Sequence, residues 1–332
     1  MTQVSIMAIR ALVGAVEGLG VPRARYLAEA GMSEAQLDDR SLRVPISDYD
    51  RARRAALNLS GDPGLGLRMG RSANIAAYDV LGQLVEHSGT LRNGLQAVTR
   101  YARIVMEGPG LAIHEEGDVA TLRYDHLEGE APEMRLSAEF VVSSLLYLVR
   151  RFVGESVLPR KAFFTHASPA HSEQYTAMFG GRERFSQPFT GIEIDRAWLD
   201  RSHAYGSPEL CTFLMARADM LLARVDQDAP VAERLRRFLS SQDLQTKPTM
   251  DTVARELGMS ARSLRRRLQE EHAIFNDLVE DARALHAKRM LSDPRLSVQE
   301  AAYALGFGTP AAFTRAFKRW TGVAPTTFRS AR

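Results

Sequence analysis

The chain has 332 residues, 45% hydrophobic and 25% charged, which is the balance of a folded globular protein rather than a disordered one. That length predicts two domains. The single cysteine, Cys211, excludes an intramolecular disulfide and fits a reducing cytoplasm, and the most apolar run, 140–149, closes on Arg150 and Arg151 and is too short to span a bilayer. The segment 11–20 is interrupted by Glu17 and offers no cleavage site, so no secretory leader is expected. Net charge is +3 but unevenly placed. Residues 231–332 carry 18 Lys and Arg against 11 Asp and Glu, net +7, while 1–230 is net −4. A basic tail on a slightly acidic body points to a polyanion as the tail's partner.

In chain order, apolar spacing at Ile6, Ile9, Leu12, Val13 and Val16 predicts a helix over 4–18. Helices follow at 23–30, closed by Gly31, at 33–37 behind a Ser33 cap, and at 48–59 and 90–105. Then the texture changes. Residues 111–114 and 119–124 alternate around Glu116, Gly117 and Asp118, which reads as a hairpin. A long helix is predicted over 134–153, a strand at 162–165, a helix at 172–179, an extended segment at 191–194 and a helix over 208–225. The body, 1–226, is therefore expected to be an α+β domain with a small, mostly antiparallel sheet. Residues 227–230, polar and ending in Pro230, are the expected linker to a third segment, 231–332.

That segment repeats a pattern. Its first copy runs from Met250 through Gly258 and Ser260 to Leu268, and its second from Ser297 through Gly306 and Thr309 to Trp320. Each reads as a helix, a turn on glycine and a second helix with a hydroxyl cap. Val253, Ala254, Leu257, Met259, Leu264 and Leu268 form one apolar set. Val298, Ala301, Ala302, Leu305, Phe307, Phe313 and Phe317 form its counterpart. With Leu264 and Leu268 inward, Arg262, Arg265 and Arg266 share an outward stripe, joined by Ser263 and Arg267 and headed by Ser260. With Phe313 and Phe317 inward, Ala311, Ala312, Thr314, Arg315 and Lys318 remain outward, headed by Thr309. An arginine stripe suits the major groove, because a guanidinium pairs bidentately with guanine O6 and N7. The twelve residues from Ser260 to Arg267 and from Thr309 to Lys318 named here are the candidate contacts to double-stranded DNA.

Segment 231–332 resembles the AraC/XylS family of bacterial regulators, most fully over 302–325 with Gly306, Phe307, Pro310, Phe313, Phe317, Gly322 and Pro325, and then Phe328 and Arg329. The resemblance implies an all-α domain of seven helices, with two helix-turn-helix subdomains joined by a linker helix at about 274–291. It also implies that 261–269 and 310–320 are the recognition helices. One position departs from the pattern: His272 and Ala273 stand where members carry a glycine after the first recognition helix. More loosely, about 20–210 resembles the N-terminal domain of ornithine-utilisation-type regulators, through Phe163, His166, Pro169, Tyr175, Phe179 and Phe185, and it has too few strands for a β-barrel sensor. That resemblance implies a small-molecule sensor and a homodimerisation surface.

No catalytic or metal constellation stands out, and no cofactor is expected. His166 and His171 are five apart across Pro169, a poor ligand pair. The run at Gly64 and Gly66 has Met69 where a dinucleotide fingerprint needs its third glycine. Cys211 sits among Leu210, Phe213 and Leu214 without the neighbouring histidine that an alkyl-accepting thiolate needs. The function expected is a cytoplasmic, non-enzymatic transcription activator that contacts DNA and RNA polymerase, touches no membrane and answers to a small molecule. The alternatives are an alkyl-transfer enzyme fused to a DNA-binding domain, and a regulator controlled by a protein partner. Tyr101, Arg103 and His126 are the polar candidates for the effector, and they would suit a carboxylate-bearing metabolite.

Overall fold

A computed structural model describes residues 3–71, 78–107, 110–124, 131–202, 206–242, 244–292 and 296–330. The chain divides into two compact units, Met1–Val225 and Asp226–Arg332.

The first unit opens with a short antiparallel pair, β1 (Gln3–Ser5) and β2 (Arg43–Pro45). Around it lie α1 (Ile6–Glu17), α2 (Arg23–Ala30), α3 (Glu34–Asp38) and α4 (Ile46–Ser60). Val4, expected in the first helix, lies in β1 opposite Val44, and Ser5 caps α1 from its side chain. Three residues of strand are too few to show a period, and the partner lies forty positions away, so periodicity alone could not find the pair. Ser33 forms the cap of α3 as a full capping box with Gln36. Ile6, Ile9, Leu12 and Val16 then bury against Tyr26, Ala52 and Ala56. The Tyr26 hydroxyl donates to the Ala52 carbonyl at 3.1 Å.

The rest of the unit is built on α8 (Pro132–Val153), preceded by α5 (Leu65–Arg71), α6 (Asp79–His87), α7 (Leu91–Val105), β3 (Leu111–Glu116) and β4 (Val119–Tyr124). It continues through β5 (Lys161–Phe163), α9 (Ser172–Phe179), β6 (Glu183–Arg184), β7 (Thr190–Asp195) and α10 (Pro208–Asp228). The sheet runs β3-β4-β7-β5-β6, antiparallel except for the last pair, and is open at both edges. Its register sets Ala120 opposite Ile194, and Leu122 and Ala162 opposite Ile192. All five side chains are fully buried, so one face of the sheet joins the core that α8 crosses. The glycines that failed as a nucleotide loop serve packing. A Cβ on Gly66 would stand 2.3 Å from the Leu136 carbonyl oxygen, and α5 therefore lies flat on α8.

Residues 163–179 make a buried aromatic knot with one carboxylate in it. Glu139 of α8, fully buried, accepts from His171 Nε2 at 2.8 Å and from the Tyr175 hydroxyl at 2.6 Å. His166 packs on Phe164 and Tyr175. These two histidines serve the core, in a place where the sequence had already made them a poor metal pair.

Helix α10 takes up Gln227 and Asp228, so the segment expected as a linker contributes two residues to a helix and leaves Ala229 and Pro230 outside it. The second unit then continues through α11 (Val231–Ser241), α12 (Met250–Glu256), α13 (Ala261–Glu270), α14 (Phe275–Ser292), α15 (Val298–Ala304), α16 (Pro310–Thr321) and α17 (Pro325–Ser330). These are seven helices among the described residues. Both apolar sets meet Leu278, Val279, Ala287 and Leu291 of α14 in a single core. Helix α14 is thus the linker helix, shared by both helix-turn-helix pairs.

Candidate nucleic-acid interface and ligand cavity

Helices α13 and α16 begin alike. Ser260 Oγ accepts from the Ser263 amide at 3.1 Å, and Thr309 Oγ1 from the Ala312 amide at 3.2 Å. Each cap satisfies an amide that the helix cannot. On α13, Leu264 and Leu268 are buried while Arg262, Arg265, Arg266 and Arg267 are exposed. Arg266 is engaged by Glu270 at 2.9 Å, one turn on, whereas no partner among the described residues holds Arg262, Arg265 or Arg267. On α16, Phe313 and Phe317 are buried. Ala311, Arg315 and Lys318 are exposed, and Ala312 and Thr314 are half-buried. Thr314 spends its hydroxyl proton on the Pro310 carbonyl at 2.9 Å, which leaves its methyl and oxygen lone pairs for other contacts.

Three polar side chains absent from the sequence reading hold these helices in place. Glu271, just past α13, accepts from the Val231 and Ala232 amides, each at 2.7 Å, and so caps α11, whose own cap residue is Pro230. Arg283, in the middle of α14 and buried, donates to the Leu305 carbonyl at 2.6 Å where α15 ends, and lies 4.8 Å over the Phe307 ring. Burial holds its guanidinium below the usual arginine range, although Glu280 opposes the shift. Glu280 itself accepts from Arg319 at 3.0 Å and from Trp320 Nε1 at 3.2 Å, tying α16 to α14.

The family-pattern departure at His272 has a structural consequence. His272 carries φ of 53°, the left-handed conformation in which a Cβ is strained. The Ala273 amide still closes on the Leu268 carbonyl at 2.8 Å, so the helix ends as a glycine-terminated one would. His272→Gly should therefore stabilise the chain by about 0.5–1 kcal/mol, strain relief exceeding the added freedom of the unfolded chain. A thermal melt reads this directly, and an unchanged or lower midpoint would mean that the imidazole makes compensating contacts.

The first unit holds a half-open cavity of about 200 Å³ between α6, α7 and α8. Its walls are chiefly aliphatic, with Leu81, Val85, Val98, Val141 and Leu145 among them. Its polar groups are Tyr49, Tyr78, Tyr124, Ser137 and Ser144. Ser137 is occupied, since it donates to Glu133 and receives Arg53. Ser144 Oγ is buried without a partner. Burial pushes the Tyr124 phenol up to about 12 and raises Tyr49 and Tyr78 as well, with the Tyr49 phenol adding to the shift of the other two.

Tyr101 and Arg103 do not line this cavity. Tyr101 is buried and donates to Asp219 at 2.8 Å on α10, and the Arg103 carbonyl accepts from Arg43 at 3.3 Å. His126 lies outside the described residues. The described lining of the cavity thus includes neither Tyr101 nor Arg103. Cys211 donates to the His87 carbonyl at 2.8 Å, and burial pushes its thiol up, away from the thiolate that alkyl transfer needs. No helix is long and apolar enough to cross a membrane, among the described residues.

The chain matches two family models. Residues 20–202 match the arabinose-binding N-terminal domain of AraC transcription regulators, and 253–331 match a helix-turn-helix domain. It is 29% identical to an ornithine utilization regulator of Pseudomonas aeruginosa, over 97% of this chain and 94% of that one. It is 35% identical to the transcriptional regulator VqsM of the same species, over 80% of this chain and 83% of that one. A crystal structure of the P. aeruginosa regulator CdpR aligns over 92% of this chain and 96% of its own, with 22% identity and a TM-score of 0.43.

Proposed function

Because this chain belongs to the AraC family of transcription regulators, we propose that it reads an operator with α13 and α16 and that a small molecule bound in its first unit switches that reading. The observation that carries the proposal is the pair of capped recognition helices, held on one core around α14, with Arg262, Arg265, Arg315 and Lys318 exposed and unengaged by any described residue. Arg262 and Arg265 read bases, Arg315 reads a base or phosphate, and Lys318 holds the backbone. Ser260, Thr309 and the remaining residues of both stripes line the groove. The two helices enter successive major grooves, about 34 Å apart on one face of the duplex. Activation through RNA polymerase, a homodimer and a place on the cytoplasmic nucleoid follow from the family resemblance. The high thiol pKa of Cys211 favours this reading over an alkyl-transfer enzyme.

The description of the matching N-terminal family model names arabinose, and the name of one relative points to ornithine. Neither matches the cavity: a sugar needs a shell of hydrogen bonds and ornithine needs charged partners, whereas the described lining is chiefly aliphatic and carries no formal charge.

Footprinting the full chain on its own promoter tests the DNA half of the proposal. Protection should cover two successive grooves per chain, with affinity falling steeply as salt rises because phosphate contacts release counterions. Protection of one groove per chain, or affinity indifferent to salt, would overturn it.

A further inference from the structure

The polar groups of the cavity are unusual in what they lack. Tyr49 arrives from α4, Tyr78 from the start of α6 and Tyr124 from the end of β4, and all three line one space. No described residue hydrogen-bonds any of the three hydroxyls. Ser144, in the middle of α8, is also among the lining residues, and its Oγ is buried without a partner. Buried hydroxyls are normally satisfied, because leaving one unmade forfeits its desolvation cost. Three half-buried phenols without a partner among the described residues, all lining one apolar cavity, mark a place prepared for hydrogen bonds from outside the chain.

The charges settle the class of molecule. The described lining carries no charged side chain, and Arg53 stacks 4.8 Å from the Tyr49 ring. It is already committed to Asp50, to Ser137 and to the Glu133 carbonyl. An ionised carboxylate or ammonium in the cavity would therefore lose hydration without gaining a counter-charge from the described residues of the lining. Phenol hydroxyls are good donors, and a carbonyl or ether oxygen is the partner they lack.

We propose that this cavity binds an uncharged, largely apolar molecule that presents a carbonyl or ether oxygen to the phenol hydroxyls of Tyr49, Tyr78 and Tyr124. This rests on reading the first unit as the effector-binding one. The volume suits a ligand of about one substituted ring, since a dry cavity of about 150 Å³ accepts benzene.

Three probes of nearly one shape test it on the full chain: acetophenone, isopropylbenzene and benzoate, followed by ligand-observed NMR titration. Acetophenone should bind best. Isopropylbenzene, which lacks the oxygen, should bind about 3–10-fold more weakly. Benzoate should be at least about 100-fold weaker. The triple variant Y49F/Y78F/Y124F keeps the shape of the cavity and should bring acetophenone down to the level of isopropylbenzene. Ala102→Trp fills the space from α7 and should abolish binding of both neutral probes. Undiminished acetophenone binding in the triple variant would overturn the role of the hydroxyls. Benzoate binding as tightly as acetophenone, and lost in Ala102→Trp, would overturn the class of ligand while leaving the effector-binding reading intact. If none of the three binds, and Ala102→Trp leaves promoter control unchanged, both fall.

Discussion

Gly306→Ala should unfold the DNA-binding unit, while the same change at Gly258 should merely weaken it. The two glycines occupy the same place in the two helix-turn-helix units and have nearly the same backbone, with φ of 72° and 71°. Alanine at either position is strained by the left-handed conformation, at about 1–2 kcal/mol. Their surroundings differ. A Cβ at Gly258 meets nothing within 4 Å, whereas at Gly306 it would stand 1.7 Å from the Gln245 carbonyl oxygen and 2.8 Å from its carbon. The obstacle is backbone and cannot rotate away. Relief requires moving either the segment ahead of α12 or the end of α15, and Arg283 bonds the carbonyls on both sides, Leu244 and Leu305. A loss above about 4 kcal/mol follows for Gly306→Ala, a large share of the stability of any domain. Thermal melts with DNA binding as a second readout would separate the two variants. Equal losses would mean that the approach to Gln245 relaxes freely.

Removing Arg262 and Arg265 together should cost about 2–6 kcal/mol on the operator, or about 30-fold to 25,000-fold in affinity, since each bidentate base contact is worth about 1–3 kcal/mol. On a scrambled duplex the loss should be smaller and should shrink further as salt rises, because only phosphate attraction is left there. Arg266→Ala should cost less than either single change. Its guanidinium is shared with Glu270, so part of its charge is spent within the helix. Fluorescence anisotropy on both duplexes at fixed salt reads the difference. Equal losses on operator and scrambled DNA would mark both arginines as phosphate contacts.

The second unit was largely legible because its signals are local. Gly306, Thr309, Pro310 and the inward phenylalanines lie within a dozen residues, and each constrains its neighbours through backbone rules that sequence displays. Glu271, Arg283 and Glu280 were not legible. Each acts on a carbonyl, amide or indole about twenty to forty positions away, and an exposed-looking charge in a helix carries no mark of that. In the first unit α8, the hairpin and α7 showed by period and cap. Helix α6 carries a helical pattern in Val80, Leu81, Leu84 and Val85, but it is short and lacks a side-chain cap to mark its start. The cavity was out of reach for another reason: Tyr49, Tyr78 and Tyr124 come from three distant segments. Nothing local in the sequence separates them from Tyr101, whose hydroxyl is held by Asp219, 118 positions away.

Glu271 sets a lower limit on how far the chain can be trimmed. Its carboxylate grips the amides of Val231 and Ala232, so the residue that follows the first recognition helix is also the clasp for the unit's opening helix. A recombinant fragment cut just after Ala232 would keep every side chain of both recognition helices and still lose the clasp. The carboxylate would then sit near a frayed peptide end with nothing to hold. Truncations intended to isolate DNA binding, and proteases that nick ahead of α11, act on the same two amides.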